Sequence, residues 1–281
     1  MLSHVKHVRN VKVPSGDHKG GDLETLNLEQ LDMLTLAMFA NEELPQSEFI
    51  VGELIPFAEW IWLRRQTVTA HSVHSTGQLA VLEREIRSGQ ALSHLSMGAA
   101  SGFIRIRRRQ EDVENAAWIR FLTMFGHAAL MSGLSKTLAS QLAGVVKEME
   151  DNVHAHSERP SSGLIAFVAH PSMFEFIVVD RGVGVMNSLR RAPKFAGLAD
   201  HGKALQLAVS DGNSRFGVGV GRGYGFSDLT VGIANSNALI RFRTGDYLLE
   251  LDGRGSGDII PRCVQRAIGI GFLIAVQVIP C

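Results

Sequence analysis

Cysteine is almost missing from this chain of 281 residues: there are two, Cys263 and Cys281, and Cys281 is the last residue. So few thiols build neither a disulfide framework nor a cysteine-rich zinc site, and their scarcity suits a reducing compartment. Net charge is missing too, because 28 basic residues are balanced by 28 acidic ones. Composition therefore gives no electrostatic case for nucleic acid or an anionic membrane as partner. Long hydrophobic runs are also lacking. The most apolar stretch, Ala267 to Pro280, is shorter than the roughly 20 residues a membrane helix needs. The beginning, MLSHVKHVRN, is basic but has no apolar segment of the kind a secretion signal carries. The expectation is a soluble cytoplasmic protein. What is present is apolar material, at 45% of the residues, ample for a core in one large domain or two modest ones.

Residues 1–22 read as a short strand, with Val5, Val8, Val11 and Val13, followed by a Gly-rich linker. Leu26, Leu28, Leu31, Leu34, Leu36 and Phe39 suit a helix within Leu23 to Ala40. Pro45 and Pro56 punctuate, and Phe57 to Arg65 brings Trp60 and Trp62, read as core or interface anchors. Thr76 to Ser93 looks helical, Ser93 to Ser101 is rich in small residues, and Phe103 to Arg109 alternates like a strand at its start. Arg105 and Arg107 to Arg109 read as a solvated basic edge rather than a phosphate contact. Nothing before residue 110 carries recognisable chemistry, and there is no internal repeat.

The second part of the chain is more informative. A helix is expected over Asn115 to Met131, with Ser135 as the N-cap of the next one. There Leu138, Leu142, Val145, Met149 and Val153 share one face. Glu148 and Asn152 sit one turn apart beside that stripe, where a carboxylate and an amide can reach one small volume. Asp151 and His154 point further toward solvent, and His156 falls back near the stripe. Gly163 to His170 and Phe174 to Asp180 read as a β-hairpin. Asp180 ends a face begun by Phe174, Phe176 and Val178, just before Gly182 and Gly184. A carboxylate so placed is costly unless it is hydrogen-bonded, and glycines let a backbone or ligand approach closely. Met186 to Arg191 reads as a helical turn and Gly202 to Ser210 as a short helix. Gly197 to Ala204 has the glycines and lysine of a P-loop, but Ala204 replaces the required hydroxyl residue and no buried strand leads in. Glycine then fills every second position from Gly217 to Gly225, ahead of an apolar helix from Phe226. A glycine turn at a helix N-terminus suits phosphates. Ala238 to Arg243, Tyr247 to Leu251 and Ile268 to Ile279 read as strands closing an antiparallel sheet.

Together these pieces, over roughly residues 113–281, resemble the GHKL superfamily of gyrase, histidine kinases, related chaperone and mismatch-repair ATPases and anti-sigma-factor kinases. Glu148-Met-Glu-Asp-Asn152 looks like its N box, Asp180-Arg-Gly182-Val-Gly184 like its G1 box, and Gly221-Arg-Gly223-Tyr-Gly225-Phe226 like its G2 box. The last strand, with Gly269 or Gly271, stands where a Gly-Thr box would lie, but the Thr is absent. The fold this implies is α+β, a Bergerat-type sandwich with a mixed, largely antiparallel sheet covered by helices. It would span residues 113–281 and follow a mainly helical region, residues 1–112, of unassigned role. The resemblance implies ATP and Mg²⁺ as cofactors. Asn152 would hold Mg²⁺ against the phosphates, and Asp180 would read the adenine amino group. Gly182 and Gly184 would let the nucleotide lie close to the backbone. Gly221, Gly223 and Gly225 would form the phosphate hinge of a lid running from about Ala192, with Arg222 and Lys203 as lid candidates. Glu148 would be the general base.

Asn152-Val-His-Ala-His156-Ser157 resembles the N-box ending of small bacterial regulatory ATP-binding proteins and histidine kinases. His71, His74 and His94 lack the acidic neighbour common after a phosphoacceptor histidine, and no dimerising hairpin is visible. The resemblance thus implies a regulator of the anti-sigma or serine-kinase type, with a STAS-like or sigma-like partner protein, no nucleic acid, no membrane, and a homodimer left open. The alternative is an ATP-dependent interaction switch with negligible turnover. A soluble histidine kinase comes third.

Overall fold

The computed structural model describes residues 23–40, 48–64, 72–87, 100–106, 114–209, 236–255 and 258–280. The expected N-terminal strand, the glycine turn and the helix from Phe226 lie outside the described residues. The described residues form two sheets. A three-stranded parallel sheet runs β1 (Glu24–Thr25), β2 (Glu48–Val51), β3 (Ser72–Ser75) in spatial order. Its strands alternate with α1 (Leu28–Phe39), α2 (Leu54–Arg64) and α3 (Gly77–Arg87). Most of the described N-terminal residues are helical, as expected, but they also include a sheet that was not expected: short segments such as Phe49-Ile50-Val51 pair as strands between the helices.

The second sheet has five antiparallel strands: β4 (Ser101–Arg105), β5 (Leu164–His170), β6 (Met173–Asp180), β7 (Ala238–Asp252) and β8 (Arg262–Val278), in the spatial order β4-β5-β6-β8-β7. The expected hairpin is β5 and β6, joined at Pro171 and Ser172, with Leu164 opposite Val179 and His170 opposite Met173. The two segments expected at Ala238 to Arg243 and Tyr247 to Leu251 are one strand, β7, which shifts register around Gly245. β4 precedes the expected domain boundary at residue 113 in sequence, yet it is the edge strand of this sheet.

Both faces of the five-stranded sheet are covered. On one, α4 (Glu114–Met131) and α5 (Lys136–His156) pack a core that includes Phe121, Phe125, Leu142, Val145, Met149, Phe167, Phe174, Phe176, Val178 and Ile274. Phe125 meets Phe167, Phe174 and Phe176 edge-on, with ring centroids 5.6, 5.0 and 5.3 Å apart, the arrangement that aromatic quadrupoles favour. On the other face, Trp60, Trp62, Leu54 and Ile55 of α2, with Leu31, Leu79 and Leu82, pack on Phe103, Ala166, Val168, Ile177, Leu273 and Ala275. Both tryptophans are buried, as the sequence suggested.

Two buried carboxylates fix α2 on the sheet. Glu175 of β6 accepts from the Leu54 N–H at 2.8 Å, which satisfies an orphan donor at the helix N-terminus. Glu59 of α2 reaches back to the sheet, taking 2.6 Å from Arg241 Nε, with Arg243 at 3.4 Å. Pro56 lies in the first turn of α2, where its missing N–H costs nothing.

Candidate functional site

α5 starts where Ser135 caps it: its hydroxyl accepts from the Leu138 N–H at 3.2 Å. Val145, Val146, Met149 and Val153 of this helix are buried against the sheet. Glu148 and Asn152 flank that stripe and are half-buried, as the helical spacing required. Burial, and after it the charge of Asp151, pushes the Glu148 carboxyl above its usual range. The Asn152 amide makes one long contact, 4.0 Å from its Nδ2 to Met149 Sδ, so its carbonyl oxygen has no partner among the described residues. His154 is not turned out to solvent. It is largely covered and its Nε2 lies 2.8 Å from Glu150. His156 Nδ1 lies 3.1 Å from Ser188 Oγ, which ties α5 to α6 (Gly184–Leu189).

Asp180 ends β6 on the α5 side, in line with Phe174, Phe176 and Val178, and is 4% exposed. Its Oδ1 accepts from the Gly182 N–H at 2.6 Å, while Oδ2 has no hydrogen-bond partner among the described residues. Burial pushes the carboxyl up to about 6, against the opposing pull of that one N–H. A carboxyl kept in this state is half prepared for a donor that the described residues do not provide.

The turn after Asp180 explains both glycines. A Cβ on Gly182 would stand 2.1 Å from the Ser157 carbonyl oxygen, so this position must be glycine for α5 and the turn to touch. The Val183 N–H donates to that same carbonyl at 3.0 Å. Gly184 has φ +74°, the left-handed region, and opens α6. The C-terminus of α5 is thus seated on the Asp180–Gly184 turn. Asn152 lies five residues before Ser157, about 7.5 Å along the helix, and Glu148 about 6 Å further.

Thr244 was not singled out from the sequence. It is buried on β7, donates to the Gly271 carbonyl at 3.0 Å, and accepts from the Val185 N–H at 3.2 Å. It therefore holds the Asp180 turn against β8. Its only sequence signal was a hydroxyl residue directly before Gly245, at a point read as the end of a strand.

Of the expected lid, residues 192–209 are described and include α7 (His201–Val209). Asp200 caps α7 by accepting from the Lys203 N–H at 2.5 Å, and Lys203 is exposed. Gly221, Gly223, Gly225 and Arg222 lie outside the described residues. Two cavities of about 340 and 660 Å³ are lined by α1, the α7 region and the β7–β8 arm, and neither includes Asp180 or Asn152. The Asp180 turn, unlike either cavity, combines a buried carboxylate, an oxygen unclaimed among the described residues and close backbone approach. No group of three or more His, Cys, Asp or Glu side chains able to hold a metal occurs among the described residues, and no described helix is long and apolar enough to cross a membrane.

Comparison with known proteins adds no identification: no family model, curated protein or solved structure matches this chain.

Proposed function

We propose that this chain is a Mg-ATP-binding regulatory protein of GHKL type, with a Bergerat-type site, that transfers a phosphoryl group to a partner protein. The observation that carries this reading is Asp180, a buried carboxylate with one oxygen unclaimed among the described residues. An exocyclic amine of adenine is a donor of the right kind for it, while Gly182 and Gly184 let α5 and the β7–β8 strands close on the turn that carries Asp180. Support comes from the antiparallel sheet with helices on its face, and from the contact between the end of α5 and the Asp180 turn.

In this reading Asn152 offers its free carbonyl oxygen to Mg²⁺. That suits an ion usually held by one or two protein groups together with phosphates and water, rather than by a protein cage. Bound Mg²⁺ supplies charge neutralisation at the phosphates. Glu148, with its raised pKa, takes the proton from an acceptor hydroxyl as that oxygen bonds to the terminal phosphorus and ADP leaves. Thr244 keeps the turn that carries Asp180 in place. Gly221, Gly223 and Gly225 are assigned to the phosphate hinge on the sequence resemblance alone. A STAS-like or sigma-like protein is the acceptor class the resemblance suggests.

The test is a nucleotide titration with and without Mg²⁺. Asp180→Asn should weaken ATP binding roughly tenfold to a hundredfold, the range of one charged hydrogen bond; unchanged affinity overturns the assignment. Glu148→Gln should leave ATP bound while lowering phosphoryl transfer by about 10²–10⁴. Wild-type protein that binds ATP yet phosphorylates neither water nor any protein would instead be an ATP-dependent interaction switch.

A further inference from the structure

The face of the five-stranded sheet away from Asp180 carries an ionic cluster that the proposed function leaves unused. Arg241 and Arg243 of β7 and Arg262 and Arg266 of β8 face Asp32 of α1, Glu59 of α2 and Glu250 of β7. Four guanidinium groups thus meet three carboxylates, and one positive charge is in excess. The carboxylates are mostly spent on Arg241, which donates to Asp32 at 2.6 Å, to Glu59 at 2.6 Å and to Glu250 at 2.5 Å. Arg262 and Arg266 are left over. Arg262 comes only to 3.5 Å from Glu250 and 4.0 Å from Asp32, and donates no hydrogen bond among the described residues. Arg266, almost fully buried, gives one bond to the Gln265 carbonyl at 2.8 Å, stands 3.8 Å from Asp32, and has an Nε with no partner among the described residues.

A register irregularity creates this convergence. Gly245 pairs with Gly269 and Tyr247 with Gln265, so Asp246 alone stands opposite residues 266–268. The extra residues let Arg266 and Ala267 both face the N-terminal layer, as a β-bulge does. Both free guanidinium groups come within 4.0 Å of Asp32 Oδ2, so their tips share one small space.

That space is a cavity of about 340 Å³ between α1 and the β7–β8 arm. Its arginine end is continued by a wall of Leu28, Met33, Leu36 and Leu239. Met33 and Leu36 are large apolar side chains left exposed. Glu29 stands exposed at the rim and pairs with no arginine among the described residues. Burial holds the Arg266 and Arg243 guanidinium groups below their ordinary range, as expected where cationic charge lacks its full complement.

We propose that this cavity binds a small organic carboxylate with an apolar tail, its head on Arg262 and Arg266 and its tail along Leu28, Met33 and Leu36. Two neighbouring guanidinium groups with spare N–H donors suit the two oxygens of a single carboxylate. The rim position of Glu29 and the nearby Glu250 disfavour polyanions such as nucleotides. A guanidinium fork matches a carboxylate in plane and spacing, and the volume suits a small ligand. The site is independent of the ATP reading, since it lies on the opposite face and its test uses no nucleotide.

Octanoate is the probe, followed by calorimetry and thermal unfolding of the full chain, with octanamide and inorganic phosphate as controls. Octanoate should bind saturably and raise the unfolding temperature, with the neutral amide and the tailless anion each weaker by roughly tenfold or more. Arg262→Gln, at a half-exposed position that folding should tolerate, should weaken octanoate by about tenfold. Met33→Gln should weaken it through the apolar wall without adding charge to the cluster. Absence of saturable octanoate binding overturns the proposal. So does equal binding of octanamide or phosphate, or wild-type affinity in both variants.

Discussion

Asp180 is paid for in stability. Its carboxyl sits at about 6 in the folded chain against an ordinary 3.8, a difference worth roughly 3 kcal/mol when the group is ionised. The sign follows from proton counts. Between about pH 4 and pH 6 the folded state holds the proton and the unfolded state does not, so stability falls as pH rises through that window and stays lower above it. Asp180→Asn keeps an acceptor for the Gly182 N–H without the buried charge. Urea unfolding of the nucleotide-free protein at pH 7.5 should find the variant more stable by about 1–3 kcal/mol, with the pH 4–6 slope reduced. A variant no more stable than wild type would show that the buried carboxylate is already compensated. Glu59 is the opposite case. It is fully buried against Arg241 and Arg243, and Glu59→Gln removes one partner from a buried pair, a change that typically costs about 3–5 kcal/mol. Urea unfolding at neutral pH measures it; a loss below about 1 kcal/mol, the scale of an exposed pair, would mean the network is solvated.

Among the elements, α5 was the most legible and the Asp180 turn the least. The spacing of Leu142, Val145, Met149 and Val153 fixed the buried face of the helix, and Ser135 marked its start. Ser135→Ala should cost about 1 kcal/mol, the usual worth of an N-cap, read as a shift in urea midpoint. The alternation Phe174, Phe176, Val178 likewise placed Asp180 inward. No local pattern revealed that Gly182 packs on the Ser157 carbonyl. Gly182→Ala should force α5 and the turn apart and weaken nucleotide binding more than it lowers global stability, because the contact joins the Asn152 helix to Asp180. Comparing the ATP affinity of Gly182→Ala with that of Ser135→Ala checks this: equal losses would make the turn no more than a packing contact. Thr244 was obscured for a related reason, since its role depends on Gly271, which is 27 residues away.

At the scale of the whole molecule, the N-terminal layer is part of the fold of the sheet. α2 covers Ala166, Ile177, Leu273 and Ala275 and is fixed by Glu175 at one end and Glu59 further along. β4 also completes the sheet edge. A chain beginning at residue 113 therefore loses both an edge strand and the cover of one sheet face, and leaves Arg241 and Arg243 without Glu59 and, for Arg241, Asp32. Such a fragment should bind a hydrophobic dye and lack the unfolding transition of the full chain. Cooperative unfolding of the fragment at the wild-type midpoint would mean the two layers are independent.

By itself the sequence determined what short-range periodicity can encode. That includes the amphipathic α5 with Glu148 and Asn152 beside its buried stripe, the β5–β6 hairpin, and the inward Asp180 ahead of two glycines. These follow from the 3.6- and 2-residue repeats and from the cost of burying a carboxylate. Tertiary structure alone decided what lies on the far face of the sheet. Arg241 and Arg243 share one face of a strand that alternates with Ile240 and Phe242, and both are buried. A period of two tells which residues share a face but not what covers that face. Here α1 and α2 supply the cover, together with the carboxylates of Asp32 and Glu59 that make buried arginines tolerable.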